Sequence, residues 1–243
     1  MNKVWRYVLL GFAFVAVFAY LLCVWLLPDE RKSLVCTDVV IVVKDSAEQS
    51  LLTSKMLRAW LTIEQVDVVG QPMKDIPTQV LEDALMRHPL TRTAVCYERL
   101  DGTIVAEVTA RVPLFRVAGQ NNYFVDTDRR IMPVRSTTAT YVPVVTGYVS
   151  EQMATGELYD FFKFVSGNPF WNAQIVQVDV RQSGEVIIVP RVGGHTILLG
   201  ELKDYKTKLK KMKIFYGEGF AKIGWKQYKE IDLRFENQII GRK

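Results

Sequence analysis

Histidine is almost absent from this 243-residue chain, which has only His88 and His195. His88 precedes a proline at an expected helix end and His195 follows two glycines in an expected turn, so both read as structural groups. Cysteine is nearly as scarce. Cys23 lies in an apolar run, and Cys36 and Cys96 stand in unlike contexts without a CxxC spacing. The last two read as unpaired structural thiols, with a Cys36–Cys96 disulfide as the less common outcome. The GxSxG, SxxK, HExxH and glycine-rich phosphate-loop patterns are missing, which removes the common hydrolase, penicillin-binding, zinc-protease and nucleotide-binding classes. No catalytic residue, cofactor or metal is expected. A large charge excess is lacking too. The net charge is +5, and without Lys3 and Arg6 the remaining 29 basic and 26 acidic residues leave +3. That is too weak and too dispersed for nucleic-acid binding.

What the chain does have is one long apolar run. Residues 7–27, YVLLGFAFVAVFAYLLCVWLL, pass 21 positions without a charge. At ~1.5 Å per residue a helix of that length covers roughly 31 Å, matching the ~30 Å hydrocarbon core of a bilayer. The run predicts a membrane span inserted in the lipid bilayer rather than a buried core helix. Lys3 and Arg6 lie on one flank, whereas Asp29-Glu30-Arg31-Lys32 on the other sums to zero, so the positive-inside bias leaves residues 1–6 cytoplasmic and the rest outside. Trp5, Tyr7, Tyr20 and Trp25 suit the two interfaces. A cleaved signal peptide would have a shorter apolar region and a small-x-small site, and Leu22-Cys23 is a poor lipoprotein site.

After a linker, residues 28–36, the stretch 37–112 reads as strand, helix, helix, strand, strand. Asp38-VVIVV-Lys44 is a β-branched run. Ser46-x-x-Gln49 is a capping-box pattern ahead of Leu52, Met56 and Ala59/Trp60, which predicts a helix of about 12 residues. Pro77 and the apolar positions Val80/Leu81, Ala84/Leu85 and His88 predict a second helix ended by Pro89. Ala94-Val95-Cys96-Tyr97 and residues 104–110 read as strands around a two-residue turn at Asp101-Gly102. This β-α-α-β-β unit resembles a polypeptide-transport-associated (POTRA) domain.

Residues 113–243 read as a mixed, sheet-dominated module with two helices, making the chain α+β. Strands are expected at 122–126, 142–145, 175–180, 186–189 and 196–199. Residues 151–166 fit an amphipathic helix, and Leu202, Tyr205, Leu209, Met212 and Tyr216 define another. The polar side of the second carries Lys203, Lys206, Lys208, Lys210, Lys211 and Lys213. A solvated lysine face is its commoner explanation, with anionic headgroups or an acidic partner as the alternative. Asp126 and Asp128 read as turn-forming groups rather than a general acid/base pair.

In Tyr228-KEIDLRFE-Asn237, Ile231, Leu233 and Phe235 alternate with Glu230, Asp232, Arg234 and Glu236, which predicts a strand with one buried face. As the last strand it would present an open edge, able to accept a strand from another protein.

Several motifs in order carry a family resemblance. They are Arg87-His-Pro-Leu-x-x-Thr-Ala-Val95, Val112-Pro-Leu-Phe-Arg116, Tyr123-Phe-Val-Asp126 with Met132-Pro133, Val142-Pro-Val-Val-Thr-Gly147 and Ile231-Asp-Leu-Arg-Phe235. Together with the apolar run and the POTRA-like unit they resemble the FtsQ/DivIB family of bitopic cell-division proteins. Pro169-Phe-Trp171, Val189-Pro-Arg-Val-Gly193, Leu199-Gly200, Trp225 and Asn237-Gln238 resemble its Bacteroidetes-type version. The resemblance implies a non-catalytic scaffold of the division septum, single-pass in the inner membrane with its bulk in the periplasm. The implied partners are FtsB- and FtsL-type proteins and other membrane proteins of the divisome. It further implies that the terminal strand docks the FtsB-type partner, here through Ile231, Asp232, Leu233, Arg234, Phe235, Glu236 and Asn237. Phe235 stands where the family pattern often has tyrosine, which removes a hydroxyl but not the backbone pairing. Two other readings stand beside it, a membrane-tethered envelope enzyme acting on peptidoglycan and a POTRA-type export chaperone.

Overall fold

The computed structural model describes residues 3–26, 34–44, 51–119, 122–134, 140–225, 227–236 and 238–243. In the first helix, side chains are described at residue 5 and from 11 to 24; in the last helix, at 220 and 222.

The opening helix α1, Lys3–Leu26, follows from the apolar run and carries Phe12, Phe14, Phe18 and Tyr20 exposed along its length. Among the described residues no helix is long and apolar enough to cross a membrane. Its continuous described side chains cover only fourteen residues, about 21 Å at ~1.5 Å each, so the expected span over 7–27 lies partly outside the described residues.

The next unit is β1 (Asp38–Lys44), α2 (Ser54–Ile63), a 3-10 turn (Met73–Asp75), α3 (Thr78–Met86), β2 (Thr91–Glu98) and β3 (Thr103–Ala110). Strand β3 lies in the middle of a three-stranded sheet, parallel to β1 and antiparallel to β2. Alternate residues Ile104, Ala106, Val108 and Ala110 are buried against Leu57 and Leu61 of α2 and Leu81, Ala84 and Leu85 of α3, as the two-residue period of a strand requires.

Three details differ from the sequence reading. Helix α2 starts at Ser54, capped by the Thr53 hydroxyl, which accepts the Met56 N–H, and the capping pattern at Ser46 and Gln49 lies outside the described residues. Val80 of α3 points outward, 49 % exposed. The turn at Asp101-Gly102 is a three-residue loop over 100–102. Arg99 N–H donates to the Thr103 carbonyl at 2.9 Å, and Gly102 supplies the left-handed φ of 84° that this loop needs.

The remaining strands are β4 (Pro113–Val117), β5 (Tyr123–Asp126), β6 (Ile131–Pro133), β7 (Val144–Gly147), β8 (Ile175–Val180), β9 (Val186–Pro190), β10 (Thr196–Gly200), β11 (Glu230–Asp232) and β12 (Ile240–Arg242). Among the described residues they form one nine-stranded sheet in the order β12-β11-β10-β9-β8-β7-β4-β5-β6. The sequence pattern predicts no strand at β4, β6 or β12. They are short, and neither Pro113, Pro133 nor Gly241 suits the period-two signal.

The two expected helices are five. Residues 151–166 split at Gly156 into α4 (Glu151–Thr155) and α5 (Glu157–Ser166), where a Cβ would stand 2.8 Å from the Gln152 carbonyl oxygen. Asn168 then caps α6 (Pro169–Gln174), its side-chain oxygen accepting the Phe170 and Trp171 N–H groups. Helix α7 (Tyr205–Ile214) begins after Leu202, passes through a π-helical turn (Phe215–Gly219) and ends as α8 (Phe220–Ile223). Phe161, Phe162, Trp171, Leu209, Met212 and Phe220 from these helices share one core with Phe115, Val145, Val178, Ile188, Ile197 and Ile231 of the sheet.

Candidate partner-binding edge

The expected docking strand is the short β11. Ile231 and Asp232 pair with Ile197 and Leu198 of β10 on one side and with Gly241 and Ile240 of β12 on the other. Strand β11 is therefore not the edge of the sheet, and neither residue has a backbone free for a new strand. The reason is the return of the chain: after a loop that begins with residues 233–236, residues 240–242 lie antiparallel beside β11 and take over the edge.

The expected alternation fails for the same local reason. Ile231 and Leu233 are fully buried, but so is Asp232, and Phe235 is exposed. Asp232 is held by Arg234, whose Nε and Nη2 donate to its two oxygens at 3.1 and 2.9 Å, and by Arg242 Nη2 at 3.3 Å. These bonds hold its carboxyl below the ordinary carboxylate range despite burial. Arg234 also reaches Glu185 on the far side of β10, at 2.9 Å, and Arg242 reaches Glu230 at 2.9 Å. Glu236 is exposed, and Asn237 lies outside the described residues.

Strand β12 presents the outer edge. The Arg242 carbonyl accepts the Lys229 N–H at 2.8 Å, so Arg242 turns its backbone groups toward β11. By strand alternation the N–H and C=O of Gly241 face away from the sheet. Next to them, the loop is tied to α7 by Lys211, whose ammonium donates to the carbonyls of Phe235 and Glu236. Lys208 is similarly committed, donating to the Leu199 carbonyl at 2.9 Å and the Glu201 carbonyl at 3.3 Å. Lys203 pairs with Glu201 at 2.7 Å. A solvated lysine face is thus only part of the account of this helix, because Lys208 and Lys211 fasten neighbouring segments.

Asp126 and the two histidines are each tied into their modules by hydrogen bonds. Asp126 is buried, accepts the Asp128 and Arg130 N–H groups at 2.9 and 2.7 Å, and pairs with Arg111 at 2.9 Å. His195 Nε2 lies 2.9 Å from the Tyr216 hydroxyl, and burial lowers its pKa. His88 Nδ1 accepts the Leu90 N–H at 3.3 Å, and its ring meets Trp60 edge-on at 5.1 Å. Cys36 and Cys96 are free and buried. Among the described residues, no group of three or more His, Cys, Asp or Glu side chains is placed to hold a metal.

A three-stranded α/β unit is thus joined to a long sheet whose outer strand at one end is β12. Two family comparisons agree with it. The POTRA-like domain matches residues 34–109, and the family described as FtsQ/DivIB, C-terminal related, matches residues 112–242. A search of the curated proteins found no match. The chain belongs to the FtsQ/DivIB family, and its two modules are those of a cell-division scaffold.

Proposed function

We propose that this chain is a non-catalytic, membrane-tethered divisome scaffold that takes an FtsB–FtsL-type complex by strand addition at the outer edge of β12. The single observation carrying this reading is the outward-facing backbone of Gly241 on an edge strand that has no neighbour beyond it among the described residues. Main-chain bonds to that edge supply affinity, while exposed Phe235, Arg234 and Glu236 beside it offer side-chain contacts. The tether is α1, whose backbone runs 24 residues and whose sequence over 7–27 is uncharged. It crosses the inner membrane with its N-terminus inside, leaving both modules in the periplasm.

The test is a pull-down of the full chain, in neutral lipid nanodiscs, with the FtsB–FtsL-type pair of the same organism. Gly241→Pro removes the outward N–H and abolishes capture, and Phe235→Lys weakens it, with circular dichroism unchanged in both. Unaltered capture by Gly241→Pro would sink strand addition at β12. Failure of the wild type to bind would sink the partner assignment.

A further inference from the structure

Residues 34–37 enter the POTRA-like unit between two other segments. On one side the Cys36 N–H donates to the Gln71 carbonyl at 2.9 Å, and the Met73 N–H to the Leu34 carbonyl at 2.9 Å. On the other the Thr37 N–H donates to the Gly102 carbonyl at 2.8 Å, and a Cβ at Gly102 would stand 2.9 Å from the Val35 carbonyl oxygen. Residues 69–73 and the loop 100–102 therefore flank the point where the chain enters. Each of the three segments carries an exposed apolar side chain there: Leu100 is 86 % exposed, Val69 51 % and Val35 45 %. None of them belongs to either core. Singly such residues are ordinary on a protein surface, but these gather around one point. The loop holding Leu100 is also fixed, since the Gly102 N–H donates to the Arg99 carbonyl at 3.2 Å and the Asp101 carboxylate accepts the Thr103 N–H at 3.0 Å. Its backbone requires glycine at 102 but makes no demand for leucine at 100.

The apolar run fixes what lies opposite that point. Leu27, its last residue, and Leu34 are seven residues apart, at most about 25 Å of extended chain. The headgroup layer takes roughly 5–7 Å of that reach, which confines the entry end of the unit to the neighbourhood of the bilayer surface. We infer that Leu100, Val69 and Val35 form an apolar rim that beds into the lipid interface and holds the POTRA-like unit against the membrane. This rests on the membrane tether proposed for α1 and is independent of strand addition at β12. The occupant is lipid taken by its apolar boundary, not by its charge, because Arg99 and Lys74 on these segments are outnumbered by Asp67, Asp75 and Asp101. The tether keeps the local lipid concentration high, so a rim of three side chains is enough to populate the contact.

The experiment uses the full chain in phosphatidylcholine nanodiscs whose acyl chains carry a nitroxide quencher, with a nitrobenzoxadiazole label on one thiol. Cys36 and Cys96 are buried. Wild type therefore carries the label at Cys23, within the apolar run. Cys23→Ala proteins carry it at Leu100→Cys or, as a control on the large module, at Tyr148→Cys, a position 67 % exposed. The expected result is quenching at Cys23, quenching with blue-shifted emission at Leu100→Cys, and neither at Tyr148→Cys. Adding Val35→Ser and Val69→Ser should bring the Leu100→Cys signal down to the control, with circular dichroism unchanged because all three side chains are exposed. High salt should leave the Leu100→Cys quenching as it is, and its loss in salt would make the contact one of headgroup charge and overturn the apolar rim. Quenching at Cys23 with none at Leu100→Cys overturns the rim and leaves the tether standing. A blue shift at Leu100→Cys without quenching means that protein covers the position, and likewise overturns the inference. No quenching at Cys23 overturns the tether and the rim together.

Discussion

Arg111 and Asp126 form an ion pair of 2.9 Å at the junction of the two sheets, with the Asp126 side chain 1 % exposed and that of Arg111 12 % exposed. Arg111 follows β3 and Asp126 ends β5, so the pair fastens the POTRA-like unit to the large sheet. Strand β5 is buried on both faces. Tyr123 and Val125 enter the core of the large module, while Phe124 between them enters the core of the POTRA-like unit with Met132. A second ion pair, Arg92 with Asp128, crosses the same junction.

Asp126→Ala leaves Arg111 largely desolvated and unpaired and removes the acceptor of two backbone N–H groups. A loss of roughly 3 kcal/mol is expected, measured by urea denaturation of the full chain. The Arg111→Met/Asp126→Ala double variant should be less destabilised than the sum of the singles. Additive losses would show that the two groups do not act as a pair.

Asp232 makes the stability depend on acid. Its folded pKa is lowered, chiefly by hydrogen bonds from Arg234, so the native state binds the proton less readily than the unfolded chain. The contribution is complete above the ordinary carboxylate pKa, about 4, and is lost as pH falls below it toward the folded value. Wild type should therefore lose more stability than Asp232→Asn between about pH 5 and pH 2. Parallel acid curves for the two proteins would refute the assignment.

The two buried thiols should be inert. Burial and then the nearby Glu82 carboxylate push the Cys96 thiol up to about 12, and burial raises that of Cys36 as well. The reactive thiolate is thus scarce at neutral pH. A membrane-impermeant maleimide should label neither in the native chain within minutes and both after denaturation, as read by intact mass. Rapid native labelling of Cys96 would show that its strand opens. Glu82 bears on that directly, because its carboxylate accepts the Cys96 N–H at 2.6 Å on the open side of β2.

Elements whose register is local were legible in the sequence. Strands β1, β3 and β8 carry β-branched runs, and α3 and α5 show the helical period, because each buries one face against a core whose periodicity the residues themselves repeat. The ends of α2 and the break at Gly156 were less legible, since caps and breaks depend on single backbone contacts. The docking edge was the least so. Alternation over 231–235 pointed to a long terminal strand, but Arg234 and Arg242 bring Asp232 into the interior, and that carboxylate could not have been placed inside without knowing its partners.

The sequence by itself determined the apolar run over 7–27, the β-α-α-β-β order, the family and the want of recognisable catalytic chemistry. Tertiary structure alone decided which strand closes the sheet, that β5 serves two cores, and which lysines of α7 are already engaged. Composition and period report what a segment can bury. Pairing and charge compensation instead join residues far apart in the chain, such as Glu185 with Arg234, and such partners become neighbours only when the chain is folded.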